Sequence, residues 1–217
     1  VIKAVVFDVG ETLIDETRIW SRWADRLGVP RFALLGLIGA MAATDRPFSE
    51  AFALVRPGLD LDAEMAAWAV EEADSLRENF DEVDLYPDVK PAFAELRRRG
   101  LAVIVAGNQP PQAKAALERM ELAADAIHTS AEWGLEKPHP DFFAKVAEVA
   151  RAAPEQIAYV GDRVDNDVRP ASRAGMKPVL IRRGPWGYLA SAHPDTARLA
   201  TVVDRLTELP DLLAPAG

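Results

Sequence analysis

The 217-residue chain has no cysteine. Disulfide staples and thiolate chemistry are therefore excluded at the outset. Long apolar runs are missing as well. The stretch from Ala33 to Ala43 comes closest, and it is too short to span a bilayer. Asp8 interrupts the apolar run near the amino terminus and breaks any signal-peptide pattern, so a cytoplasmic location is the default expectation. There is no basic surplus: 25 Lys and Arg face 34 Asp and Glu, a formal net charge of -9. That balance argues against broad binding to nucleic acid or to an anionic membrane. It leaves a phosphorylated small molecule open, because a local cation can reverse the field inside a pocket. No internal repeat and no low-complexity segment stands out beyond a bias toward alanine. What is present is ordinary for a globular chain, 49% hydrophobic and 27% charged. The length suits one domain, or a core with a small accessory lobe.

The rest of the chain is organised around Val5-Val6-Phe7-Asp8-Val9-Gly10-Glu11-Thr12-Leu13-Ile14-Asp15. An apolar, β-branched run that ends on a carboxylate reads as a buried strand, over 2–8. Gly10 then loosens the backbone for a turn. Residues 16–81 read as helical throughout. Ile19, Trp20, Trp23 and Leu27 share a helical face, and Gly28 with Pro30 stops that helix. Further helices are expected over 32–43, 48–55 and 62–80, the last with Asp62 as N-cap. The aromatic stripe Trp20, Trp23, Phe48, Phe52 and Trp68 reads as the core of this lobe. Residues 82–217 return to alternation: helix 88–99, strand 101–106, helix 112–120, strand 126–129, helix 141–150, strand 157–160, helix 164–174, strand 178–181, a loop 182–187 and a final short strand and helix. Strands alternating with helices predict an α/β fold, a doubly wound parallel sheet built from 1–15 and 82–217, with an all-helical lobe over 16–81.

In such a sheet the carboxyl ends of the strands lie along one edge, where ligands bind. Four strand ends carry polar groups there: Asp8, Gly107-Asn108, Lys137 in its loop, and Asp162 with Asp167. Carboxylates gathered together repel, each pair at 4 Å costing about 1 kcal/mol in water and about 4 kcal/mol at an intermediate dielectric. A hard divalent cation removes that cost, and Mg²⁺ suits a few carboxylates plus a phosphate oxygen. A carboxylate can also act as nucleophile in phosphoryl transfer. A lysine beside it offsets charge on nucleophile and substrate alike. For Asp8 alone the alternative is a turn cap, and for Lys137 a solvated surface side chain.

These residues resemble the haloacid dehalogenase superfamily over nearly the whole chain. Phe7-Asp8-Val9-Gly10-Glu11-Thr12-Leu13 matches its first motif and Val105-Ala106-Gly107-Asn108 its second. Lys137-Pro138 matches the third, and Gly161-Asp162-Arg163-Val164-Asp165-Asn166-Asp167 the fourth. The resemblance implies a Rossmann-like core with a helical cap inserted after the first motif. It implies Asp8 as nucleophile and Mg²⁺ held by Asp8, the main-chain carbonyl of Gly10, Asp162 and Asp167. It implies Lys137 steadying nucleophile and phosphate, with Gly107 and Asn108 in the substrate-binding loop. The expected activity is Mg²⁺-dependent hydrolysis of a small phosphorylated metabolite through an aspartyl-phosphate.

Two positions depart from the family pattern. Phosphatases of the family usually carry a second Asp two residues after the nucleophile, where this chain has Gly10. The lost proton-transfer group is worth about 10²- to 10⁴-fold, so slow turnover is expected. Glu11 is the candidate replacement; the alternative is that its side chain points into the hinge or solvent. The usual Ser or Thr of the second motif is Gly107, which keeps an N–H and loses a hydroxyl. Two alternative functions stay open: a metal-independent 2-haloacid dehalogenase, which the glycine at 10 would suit, and a binding protein without turnover. Arg18, Arg22 and Arg46 are candidate substrate contacts or, alternatively, solvated helix-face charges. Trp186 with Arg182-Arg183 borders either the site or a dimer contact, and the oligomeric state is open.

Overall fold

The computed structural model describes residues 1–72, 79–194 and 196–213. It divides into two compact units, Val1–Asp15 with Leu85–Gly217, and Glu16–Asp84. The first unit is built on a six-stranded, all-parallel sheet of β1 (Ala4–Phe7), β2 (Ala102–Gly107), β3 (Ala126–Thr129), β4 (Ile157–Gly161), β5 (Lys177–Ile181) and β6 (Thr201–Val203). Their order is β3-β2-β1-β4-β5-β6, so the winding reverses between β1 and β4. All four residues of β1 are buried, as a central parallel strand covered on both faces requires.

The period-2 geometry of β1 assigns the two faces. Val6 is level with Ile104 and Tyr159. This face forms a core cluster with Phe142, Phe143 and Val146 of the helix Pro140–Ala150. Phe7 points the other way and meets Phe93, with ring centroids 4.7 Å apart. Phe93 belongs to the helix Val89–Arg98, whose Val89, Ala92, Phe93 and Leu96 form a buried i, i+3, i+4, i+7 stripe. Helices thus cover opposite faces, which makes the sheet doubly wound as expected.

Three local readings are corrected. Residues 182–187 are not simply a loop, because a helix runs from Gly184 to Ser191. Pro185 lies in its first turn, where a fixed φ and a missing N–H are both favourable. The helix expected over 164–174 opens as a π-helical turn, Val164–Val168, before α-helix Arg169–Arg173. The N–H groups of Asp167 and Val168 both donate to the Arg163 carbonyl, which widens the turn. In the helical unit the N-cap is Asp60 rather than Asp62. Asp60 is extended, its carboxylate accepts from the Ala63 N–H at 3.0 Å, and Asp62 falls inside the first turn.

The helical unit contains Thr17–Leu27, Arg31–Ala43, Ser49–Val55 and Leu61–Glu71. The first ends as its Gly28 suggested, in the left-handed region at φ 68°. Residues 73–78 of the longer fourth helix expected from sequence lie outside the described residues. The aromatic stripe is an interior cluster: Trp23 meets Phe52 and Trp68, each with centroids 5.1 Å apart, and Trp20 meets Phe48 at 5.4 Å. The arginines singled out from sequence have partners within this unit. Arg18 forks onto Asp84 at 2.7 and 2.5 Å, Arg22 donates to the Asn79 carbonyl, and Arg46 pairs with Glu50. Among the described residues no single helix is long and apolar enough to cross a membrane.

Candidate active site

Asp8 follows the last residue of β1, with its main-chain N–H still donating to the Val160 carbonyl of β4 at 2.9 Å. This bond fixes the start of the turn, and the carboxylate stands at the carboxyl edge of the sheet, buried. Asp162 leaves β4 one residue past its end, and Asp167 sits in the π-helical turn that follows. Each of the three buried aspartates can offer one oxygen to a common point, the three oxygens lying within 4.8 Å of one another.

Lys137 enters from the loop after the short helix Ser130–Trp133. Its side chain is fully buried, with Nζ 2.7 Å from Asp8 Oδ1 and 2.6 Å from Asp167 Oδ1. Asn108 sets this loop: its Oδ1 accepts from the Lys137 N–H at 2.8 Å and its Nδ2 donates to the Lys137 carbonyl at 2.9 Å. Both polar atoms of the Asn108 carboxamide thus hold the Lys137 backbone. Burial pulls the Lys137 ammonium down, but the charges of Asp167 and Asp8 outweigh it and hold the group well above the ordinary lysine range. Asp167 moves the other way. Burial pushes its carboxyl up to about 6, the Lys137 charge opposes the rise, and repulsion from Asp8 adds to it. One ammonium among three carboxylates leaves the cluster with an excess of negative charge. This donor set of hard oxygens fits a divalent cation such as Mg²⁺.

Two glycines make the close packing feasible. A Cβ on Gly107 would collide with Asp8 Oδ1 and lie 3.3 Å from the Val9 N. A Cβ on Gly161 would collide with the Asp167 carboxylate and stand 2.7 Å from Asp167 Cβ. Asp167 is fixed further by the Arg163 N–H, which donates to its Oδ2 at 3.0 Å. Gly10 lies in the turn Val9–Ile14, whose Leu13 and Ile14 N–H groups both return to the Val9 carbonyl.

Glu11 holds a positive φ of 47° in that turn and is buried. Its Oε2 accepts from the Tyr86 hydroxyl at 2.7 Å, and a Cβ on Gly184 would stand 2.6 Å from its Cγ. Arg183 completes this neighbourhood. Its guanidinium lies 4.1 Å from the Tyr86 ring centroid, donates to the Thr12 carbonyl at 2.6 Å and pairs with Asp88 at 2.5 Å. Trp186 stacks under Arg163 at 5.1 Å, and Arg182 pairs with Asp204.

Sequence reasoning passed over Tyr159. Its hydroxyl donates to the Ala106 carbonyl at 2.8 Å, fully buried, and its ring centroid is 5.6 Å from Lys137 Nζ. The available signal was a phenol inside the otherwise apolar strand Ile157-Ala158-Tyr159-Val160, since a buried hydroxyl needs a partner.

Residues 2–175 match the sequence profile of the haloacid dehalogenase-like hydrolases. The chain belongs to this family. This haloacid dehalogenase-like hydrolase is 30% identical to a glyceraldehyde 3-phosphate phosphatase of Methanopyrus kandleri, over 98% of this chain and 97% of that protein. It is 34% identical to a phosphoserine phosphatase of Thermus thermophilus, over 80% of this chain and 72% of that one. Its fold is shared with the crystal structure of a predicted phosphoglycolate phosphatase from Haemophilus somnus, at a TM-score of 0.70 and 20% identity over 98% of each chain.

Proposed function

We propose that this hydrolase is a phosphomonoesterase for a small phosphorylated metabolite, with Asp8 as nucleophile. The observation that carries the reading is the Lys137 ammonium shared between Asp8 and Asp167 at 2.7 and 2.6 Å in a buried acid cluster. The phosphatase names of the relatives point the same way. A carboxylate oxygen of Asp8 attacks phosphorus as the P–O bond to the leaving oxygen breaks, that oxygen takes its proton from water, and a water molecule then cleaves the acyl phosphate, releasing inorganic phosphate and regenerating Asp8. Lys137 opposes the charge that gathers on nucleophile and phosphate, and the Gly107 N–H is a donor for the transferred group. Asp8, Asp162, Asp167 and the Gly10 carbonyl would hold Mg²⁺, which supplies charge neutralisation when bound. The helical unit is assigned the role of a cap that selects the leaving group.

Gly10 brings no acid to the leaving oxygen, and Glu11 is tied to Tyr86. Esters of acidic phenols, which leave without a proton, are therefore expected to react faster than alkyl phosphates. The test is hydrolysis of an aryl phosphate series with Mg²⁺ and with EDTA, beside a panel of phosphorylated metabolites. Asp8→Asn is expected to abolish turnover, and retained activity would remove the nucleophile assignment. Halide release from a short haloacid without metal would instead favour dehalogenation, the reaction that Gly10 suits. Ligand-induced stabilisation with no product would favour binding alone.

A further inference from the structure

The two arginines after β5 go different ways. Arg182 keeps its N–H on the Val203 carbonyl of β6, and its side chain pairs with Asp204. The Arg183 N–H folds back on the Ile181 carbonyl at 3.0 Å, and Arg183 is only 8% exposed. Its guanidinium joins two segments of the chain. One is the turn Val9–Ile14, which carries Gly10 and Glu11 directly after Asp8. The other begins at Leu85, where the chain returns to this unit. Nη1 donates to the Thr12 carbonyl at 2.6 Å, and Nη2 donates to both carboxylate oxygens of Asp88 at 2.5 Å. The guanidinium also lies over the Tyr86 ring, 4.1 Å from its centroid, and the Tyr86 hydroxyl donates to Glu11.

We infer that Arg183 is a positioning residue: it sets the turn that follows Asp8, and with it Gly10 and the Glu11–Tyr86 pair. A buried carbonyl needs a donor, and Thr12 has no help from its own hydroxyl, which is buried without a partner among the described residues. The anchor of the guanidinium is itself fixed, since Asp88 Oδ2 accepts the Leu206 N–H at 2.8 Å. The Asp88 carboxylate balances the Arg183 charge, so the residue acts through the shape of the turn. The planar fork matters, because one nitrogen serves Thr12 and another serves Asp88 while the plane covers Tyr86. A lysine keeps a charge opposite Asp88 but has a single nitrogen and no plane. The turn then loses one of its ties to the returning chain, and the Leu13 carbonyl is left holding the Tyr86 N–H at 2.9 Å as the other.

The catalytic half of this inference rests on the phosphomonoesterase reading; the hold on the turn does not. The test therefore has two arms on Arg183→Met and Arg183→Lys, with Arg182→Met as control. The first arm is amide hydrogen exchange in EDTA, well below the melting temperature. The Leu13, Ile14 and Tyr86 amides, which bond to the Val9 and Leu13 carbonyls, are expected to exchange about tenfold faster or more in both Arg183 variants. The amides of β2 are expected to match the parent. Unchanged exchange at the turn, faster exchange in β2 by the same factor, or an equal effect of Arg182→Met would overturn the inference. Arg183→Lys gives the same comparison should Arg183→Met not fold. In hydrolysis of an aryl phosphate, Arg183→Lys is expected to lower kcat about 10- to 100-fold with KM within about threefold, and Arg182→Met to leave both unchanged. An unchanged kcat beside a loosened turn would overturn the catalytic half. A parent that hydrolyses no phosphate ester removes the phosphomonoesterase reading, while the exchange arm still decides the hold on the turn.

Discussion

Gly107→Ser restores the hydroxyl-bearing residue usual for the family, and simple analogy expects a gain in activity. The structure predicts a loss. The new Cβ would overlap Asp8 Oδ1, with the Val9 N only 3.3 Å away. Val9 N is main chain and cannot retreat, so the Asp8 carboxylate must turn. Turning it withdraws Oδ1 from Lys137 Nζ, now 2.7 Å away. Removing one partner of a buried ion pair costs about 3–5 kcal/mol. Lys137 keeps Asp167 at 2.6 Å, so the cost falls below that range, about 2–3 kcal/mol with overpacking included. In a chain of this size that lowers Tm by roughly 5–10 °C. As the proposed nucleophile, Asp8 displaced by about 1 Å is expected to lose on the order of 100-fold in rate. Differential scanning fluorimetry and aryl phosphate hydrolysis measure the two effects. A serine variant that melts with the parent and turns over at least as fast would refute the reasoning, because it would show that Asp8 accommodates a side chain at 107 at no cost.

Gly161→Ala is expected to be more damaging, by about 3 kcal/mol or more, since its Cβ would also stand 2.7 Å from Asp167 Cβ, an atom that no rotation of the carboxylate can move. Melting with and without Mg²⁺ checks it, and the variant should lose most of any stabilisation the cation gives the parent. The pH dependence of the metal-free protein follows from Asp167. Burial raises its folded-state value to about 6, above the ordinary carboxyl value of the unfolded chain, so the folded state holds the extra proton between about pH 4 and 6. Stability from this group is complete below that window and is lost as pH rises through 6. In EDTA, the melting curve of the parent against pH should fall across this range more steeply than that of Asp167→Asn, and parallel curves would count against the assignment.

The amino-acid sequence determined the strands, the helical insert and the identity of the acids. Burial on both faces of a parallel strand leaves a local signature, an apolar run that stops on Asp8 or on Gly161-Asp162. Glycine and proline punctuation is local too, which is why Gly28 and Gly100 mark helix ends, each with a positive φ. The same punctuation misled where one residue serves two patterns: Gly184-Pro185 reads as a loop and is a helix start. Only the tertiary structure decided what the site residues touch. Lys137 meets Asp8 and Asp167 across long stretches of chain, Asn108 clamps the Lys137 backbone, and the Tyr159 hydroxyl reaches the Ala106 carbonyl. The physical reason is range. Strand and helix patterns repeat over a few residues and are written in the chain, whereas a hydrogen bond between residues far apart depends on register, rotamer and the space a missing Cβ leaves, none of which exists until the sheet has formed.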